Sequence, residues 1–447
     1  MTGATGLLLD LPSSAPFGST RQLTFAIGTI ATLHILISGL ISAAGQLGPI
    51  VEVVGWVRRR ADYDRLAHGI AKWLALLFAI GSVLPFIFVT VLLTGMAGHF
   101  WTTIVRIAWV PLVIELFSFL FEVLLVYLWY YSWHALGGRY KPLHLVIGLL
   151  LLLDDFLQVL MINVVASYML TPQAPGDIFH VIVNPTFYEL QVHRIVGNLA
   201  YLGYAIGAVA AWRFLRERDA SQRAHWDWMG SFGILTGTVL TFAQPMVGYS
   251  YAKQIQLSSY AAWYKMMLGS LSNVFLTQML TLGLMFVVAG FYFALRLRRQ
   301  EAPGYRVARV LALGLAVSTA FAALPYQLAL TYDHVRGTGL DRPFWEGGLI
   351  NPFGAMIPYK VGALIALTLL VILAVIWYLR GLRFVTWGLA GRTEQRLLLA
   401  GLVLVVCMIT VMGVIRENGR SPDVIYGEID VHQQPATTPS APPAPPP

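Results

Sequence analysis

Residues 145–165 read LVIGLLLLLDDFLQVLMINVV, an apolar run broken only by Asp154, Asp155, Gln158 and Asn163. At about 1.5 Å of rise per residue such a run crosses a hydrocarbon core of roughly 30 Å as one helix, which satisfies its own backbone. Residues 73–93 and 361–377 form two more runs of this kind. The whole chain of 447 residues is 57% hydrophobic and only 12% charged, with a mean hydropathy of +0.67. No water-soluble core of this size needs that composition, so the chain reads as a polytopic membrane protein.

Apolar periodicity and its breaks place about ten helices, at 24–54, 69–97, 104–132, 145–170, 191–212, 229–250, 266–295, 309–331, 358–379 and 396–416. The expected fold class is therefore all-α, a polytopic transmembrane helix bundle. Alternate loops, at 58–65, 139–141, 213–223, 296–309 and 380–396, hold nineteen of the 30 basic residues. The opposite loops and termini hold seven, so the positive-inside rule puts the first set in the cytoplasm and both termini on the outer, periplasmic side.

Three segments follow: an outer N-terminal stretch at 1–20, a single transmembrane domain at 21–432, and a disordered Pro-rich tail at 433–447. The first twenty residues lack a basic n-region and carry Asp10 in their only apolar patch, so no cleaved signal peptide is expected.

A net charge of +8 would suggest nucleic acid for a soluble protein, but here it is loop charge, and no aromatic-basic motif accompanies it. No nucleic-acid partner is expected. The single cysteine, Cys407, lies in an apolar run and excludes a disulfide framework, a zinc cluster or an iron–sulfur cluster built on cysteine.

Ionisable side chains within apolar helices carry the chemistry, because each costs about 2.5–3.5 kcal/mol at a helix centre. His34, Glu115, Glu122, Asp154, Asp155, Arg194, Lys360 and Glu417 are of this kind. Glu115 and Glu122 are seven residues apart, which puts them on one helix face about 10.5 Å apart along the axis, a spacing that suits a water-bridged proton relay. Pairing with neighbouring helices is the plainer alternative for both. Asp154 and Asp155 are adjacent and point about 100° apart, which allows one to face the bundle while the other meets a second subunit, with neither assigned to either side.

The stretch Val183-Asn184-Pro185-Thr186-Phe187-Tyr188-Glu189-Leu190-Gln191-Val192-His193-Arg194 sets a histidine near a helix start, where a neutral imidazole is a candidate haem ligand. His34, His193 and Glu417 fall toward the same outer depth in this topology. His68, His99, His134, His144, His180, His225, His334 and His432 sit at helix ends or in loops and read as interfacial residues.

These residues resemble subunit I of the cytochrome bd-type terminal oxidases. Residues 417–427, ENGRSPDVIYG, look like that family's Glu-x-Gly-Arg-Gln-Pro-Trp-x-x-Tyr-Gly stretch, and Asn184-Pro185 followed by His193 matches its Asn-Pro to histidine spacing. Residues 168–172, YMLTP, are similar to its Trp-Met-Gln-x-Pro helix end, and residues 112–122 to its glutamate-bearing helix. The resemblance covers about residues 21–250 and 355–427.

It implies a multi-pass protein of the bacterial inner membrane that reduces oxygen to water. His193 would ligate a low-spin haem b, and His34 and Glu417 would ligate the two haems of a high-spin pair, one a haem b and the other a haem d or a further haem b. Glu115 and Glu122 would line that pair or its proton path, and Arg420 would hold a propionate. A second membrane subunit, homologous or like subunit II, and a quinol or c-type cytochrome donor are the implied partners.

The sequence also departs from the pattern. The place of the family's methionine ligand falls at Gly362, with Met356, Met279 and Met246 as substitutes, and His34 lies two residues deeper than the family's histidine. Residues 256–263, QLSSYAAW, lack the Lys and Glu of the quinol loop, the helices at 266–295 and 309–331 take the place of that loop's remainder, and the chain stops before the family's last helix. An electron-transfer subunit exchanging electrons between quinone and an external cytochrome, without oxygen reduction, is the alternative. A transporter or channel would also carry intramembrane acids.

Overall fold

The computed structural model describes residues 20–87, 89, 98–171, 178–267, 270–323 and 358–419, and among these it contains helices and turns but no strand. The helices are α1 (Thr20–Arg58), α2 (Ala61–Gly81), α3 (Val83–Phe86), α4 (Gly98–Ile107), α5 (Trp109–Tyr131), α6 (Lys141–Leu170), α7 (Ile178–Ile182), α8 (Phe187–Arg216), α9 (Ala220–Ser258), α10 (Tyr260–Met267), α11 (Ser272–Arg299), α12 (Tyr305–Ala322), α13 (Pro358–Gly381) and α14 (Arg392–Gly419). Nine candidate spans among the described residues are long and apolar enough to cross a membrane. The protein is a multi-pass membrane protein. Helix α9, expected to span at 229–250, is long enough, but Thr, Ser, Gln, Gly and Pro245 dilute its apolar character and it is not among the nine.

Three expected helices are subdivided. The helix placed at 104–132 breaks at Ala108, because Pro111 has no N–H to give and its ring crowds the carbonyl of Ile107, four residues back. The helix placed at 69–97 breaks at Ser82, and the one placed at 266–295 is preceded by the separate α10 and begins at Ser272.

The chain divides into two compact units. Unit one holds residues 1–195, 254–262 and 416–447, and unit two holds residues 196–253 and 263–415. In unit one, α1 packs on α2 and α6, α2 on α5, and α5 on α6, which closes a four-helix ring. Glycines admit the largest side chain of this ring: a Cβ at Gly48 would stand 2.6 Å from the Trp129 ring and one at Gly148 would stand 3.1 Å from its Nε1. Trp129 is fully buried in that slot.

A second core in unit one joins α4, the end of α6, α7 and the start of α8, through Ile104, Val164, Tyr168, Val181 and Phe187. In unit two, α11, α12 and α13 pack against one another. The α8 and α9 backbones touch there at glycines, where a Cβ on Gly203 would meet Gly237 N at 2.5 Å and one on Gly233 would meet Gly207 N at 2.5 Å.

Candidate functional site

Unit one contains His34 on α1, Glu115 and Glu122 on α5, His193 on α8 and Glu417 near the end of α14. Arg420 and Met356 lie outside the described residues, as do residues 1–19 and the Pro-rich tail.

The Asn184-Pro185 stretch sets the start of α8. Asn184 is buried and donates from Nδ2 to Ser167 Oγ at 2.8 Å and to the Val181 carbonyl at 3.1 Å. The hydroxyls of Thr186 and Thr171 bond at 2.7 Å. These bonds hold the loop onto the end of α6, and Pro185 restricts the entry into α8. Gln191, His193 and Arg194 are thereby carried back along unit one. Buried Asn163 of α6 donates to Gln191 Oε1 at 2.6 Å and accepts from Arg194 NH1 at 2.6 Å. The Arg194 guanidinium is an electrostatic neighbour of both His34 and Glu115. Residues of α1 and α5 thus lie within the electrostatic reach of one charge on α8.

The acids of α5 and α6 form a second group. Gln158 Nε2 donates to Glu122 Oε2 at 2.6 Å, and Ser118 Oγ donates to Asp154 Oδ1 at 2.6 Å. Glu122 is 2% exposed, Asp154 7% and Asp155 2%, so both aspartates face the interior of unit one. This corrects the expectation that one of them points to a second subunit. Asp155 faces α1 at Gly45, where any Cβ would collide with its carboxylate. Glu115 and Glu122 do share the inward side of α5, Glu122 fully buried and Glu115 half-buried.

His144 and His225 are also corrections to the sequence reading, since both are buried rather than interfacial. His144 stands 2.5 Å from Glu52, a buried carboxylate that sequence reasoning passed over because it lies one and a half turns from the basic run at Arg58. Gln158, Asn163 and Gln191 were likewise missed. They are neutral amides, and nothing in their spacing distinguishes them from other polar residues in apolar helices.

The donor set suits haem. His34, His193 and Glu417 are each half-buried, neither sealed into the core nor fully exposed, and the two imidazoles are of the type that holds haem iron. In unit two, Gly362 is exposed, and a Cβ there would meet nothing within 4 Å, so that position offers no ligand.

A family model described as cytochrome bd terminal oxidase subunit I matches residues 22–267, more than half of the chain. The matched stretch takes in His34, Glu115, Glu122 and His193, while Met356, Glu417 and Arg420 lie beyond it. Among solved structures, the bd oxidase from Geobacillus thermodenitrificans is similar at 15% identity and a TM-score of 0.49, over 90% of this chain and 98% of that one. No curated protein matches.

Proposed function

The chain belongs to the cytochrome bd terminal oxidase subunit I family, and from that membership we propose that it is the haem-bearing subunit of a respiratory oxidase in the bacterial inner membrane, with both termini outside. The observation that carries the proposal is that the family match over residues 22–267 takes in His34, Glu115, Glu122 and His193.

Haem, when bound, supplies one-electron transfer and an iron position at which oxygen is reduced to water. His193 would hold a low-spin haem b near the start of α8. His34 and Glu417 would hold the high-spin pair, a haem b together with a haem d or a further haem b, and Arg420 would pair with a propionate. Met356 would be a further candidate to hold the low-spin haem, since Gly362 has no side chain to offer. Arg194, fixed by Asn163, supplies positive charge beside His34 and Glu115. Glu115 and Glu122 move protons toward that region, with Gln158 orienting the Glu122 carboxyl. A second membrane subunit completes the complex, and electrons come from a quinol or from a c-type cytochrome.

The test is a reduced-minus-oxidised spectrum of membranes containing the complex, taken with and without carbon monoxide, together with oxygen uptake. High-spin haem that binds carbon monoxide, with oxygen consumption, is expected. Spectra of six-coordinate haem alone, with no oxygen uptake from any donor, would replace this reading with an electron-transfer subunit working between quinone and an external cytochrome. The absence of the quinol-loop Lys and Glu from residues 256–263 bears on the donor, and favours a c-type cytochrome over a quinol in either reading.

A further inference from the structure

Where α1 runs into α2 and α5 into α6, a fully buried carboxylate of unit one meets three donors. Glu52 Oε1 lies 2.5 Å from His144 Nδ1 and 2.7 Å from Lys141 Nζ, and its Oε2 accepts from Trp129 Nε1 at 2.8 Å. The other ring nitrogen, His144 Nε2, stands 2.9 Å from the Trp129 carbonyl. A carbonyl only accepts, so Nε2 carries a hydrogen. A neutral ring would then turn the Nδ1 lone pair toward a carboxylate oxygen, which is repulsive at this distance. One proton therefore lies between Nδ1 and Oε1.

Charge balance leads to the same result. Neither the Glu52 nor the His144 side chain has any exposure. Lys141 also lies 2.8 Å from Asp64, so with the proton in place two positive groups face two carboxylates. Lys141 is shared with the partly exposed Asp64 and only partly offsets the sealed Glu52 carboxylate, which the His144 proton completes.

The surroundings connect this pair to the aqueous side. Lys141 Nζ sits 4.5 Å from the Trp133 ring centroid, and that ring stacks on His68 at 4.9 Å and meets His144 edge-on at 4.8 Å. His134 meets His68 at 5.2 Å, and Lys72 is a further charged neighbour of His68. The Asp64 side chain is 43% exposed. In the other direction, Gly45 lies seven residues before Glu52, on the same face of α1 and about 10.5 Å along its axis, and it abuts Asp155.

We propose that Glu52 and His144 form a proton-holding site, filled from the loop side past Asp64 and Lys141, which supplies protons to the Glu122, Asp154 and Asp155 group. Each step is a proton transfer only: the proton leaves water, rests between Nδ1 and Oε1, and passes on to the acids, with no change in oxidation state. The site itself stands on the hydrogen-bond geometry, and only the use of its proton rests on the oxidase reading.

The test uses the purified complex labelled with 15N-histidine and carboxyl-13C-glutamate. Solid-state NMR at pH 7 is expected to show one histidine ring in contact with a glutamate carboxyl and protonated on both nitrogens. A singly protonated ring, or no such contact, overturns the site. Glu52→Gln with matched haem content is expected to slow both proton uptake and oxygen uptake at least about tenfold, while haem reduction by the donor keeps its rate. Rates within about twofold of the parent overturn the supply role. If Glu52→Gln does not assemble, Asp64→Asn serves at the partly exposed rim. Loss of that negative charge is expected to move the pH profile of proton uptake to lower pH, and an unmoved profile overturns the role. A doubly protonated His144 in a complex that never consumes oxygen would keep the site and remove the oxidase reading, so the two failures are separable.

Discussion

Arg296 donates to Asp227 across 2.6 Å in unit two, with neither side chain exposed. The same carboxylate accepts from Gly388 N at 2.7 Å, and Arg296 also donates to the Thr386 carbonyl at 3.2 Å. The pair thus fastens the connection between α13 and α14 to α9 and α11. Removing one partner leaves a charge buried without compensation. Asp227→Ala is expected to lower stability by about 3–5 kcal/mol, read as a fall in the thermal midpoint of the detergent-solubilised protein. Asp227→Leu combined with Arg296→Met should regain most of that loss. An unchanged midpoint in Asp227→Ala would show that the pair is not compensating buried charge.

Where α8 and α9 touch at Gly203 and Gly233, the groups in the way are backbone atoms, which have no rotamer to change. Gly203→Leu is expected to cost about 1–3 kcal/mol or more and to reduce the yield of folded protein. Gly362→Ala, whose added Cβ meets nothing within 4 Å, serves as the control and should stay within about 0.5 kcal/mol of the parent. Equal effects from the two substitutions would rule out the close crossing as the cause.

His193→Ala removes the imidazole proposed for the low-spin haem while leaving the Asn184 and Thr186 bonds that set the start of α8. Spectra of the purified complex should lose the low-spin signal and keep the high-spin, carbon-monoxide-binding haem. Retention of the low-spin signal would remove His193 from the ligand set.

Glu122→Gln preserves an acceptor for Gln158 but cannot carry a proton. Oxygen uptake is expected to fall at least about tenfold with haem content unchanged. A rate equal to the parent's would make Glu122 a purely structural partner of Gln158.

Asn163→Leu leaves Gln191 Oε1 and the Arg194 guanidinium without their buried partner. A loss of about 1–3 kcal/mol is expected, along with a shifted spectrum for the haem proposed at His34, since Asn163 is one of the groups that place the Arg194 charge. Stability loss with an unshifted spectrum would confine Asn163 to a packing role.

The helices and their approximate positions were legible in the sequence. A run such as 145–165 has one low-energy state in lipid, and hydropathy reports it directly. The break at Ala108 was also present in the sequence as Pro111, but a uniformly apolar stretch hides a local kink. The resemblance to subunit I agrees with the family match over 22–267, because residue types and their spacing are local properties of the chain.

The cluster of Glu52, Lys141 and His144 was not legible. Glu52 and His144 lie 92 residues apart on separate helices, and each alone looks like a polar group near a helix end. The inward direction of both Asp154 and Asp155 likewise waited for Ser118 and Gly45 to appear opposite them.

The sequence by itself determined that this is a multi-pass helical membrane protein and which side chains have haem-ligand chemistry, because hydropathy and donor type belong to individual residues. Only the tertiary structure decided that Asn163 of α6 bonds Arg194 of α8, and that Glu52 of α1 meets His144 of α6. Those are distances between helices remote in sequence, set by how glycines and a buried tryptophan let the unit-one bundle close.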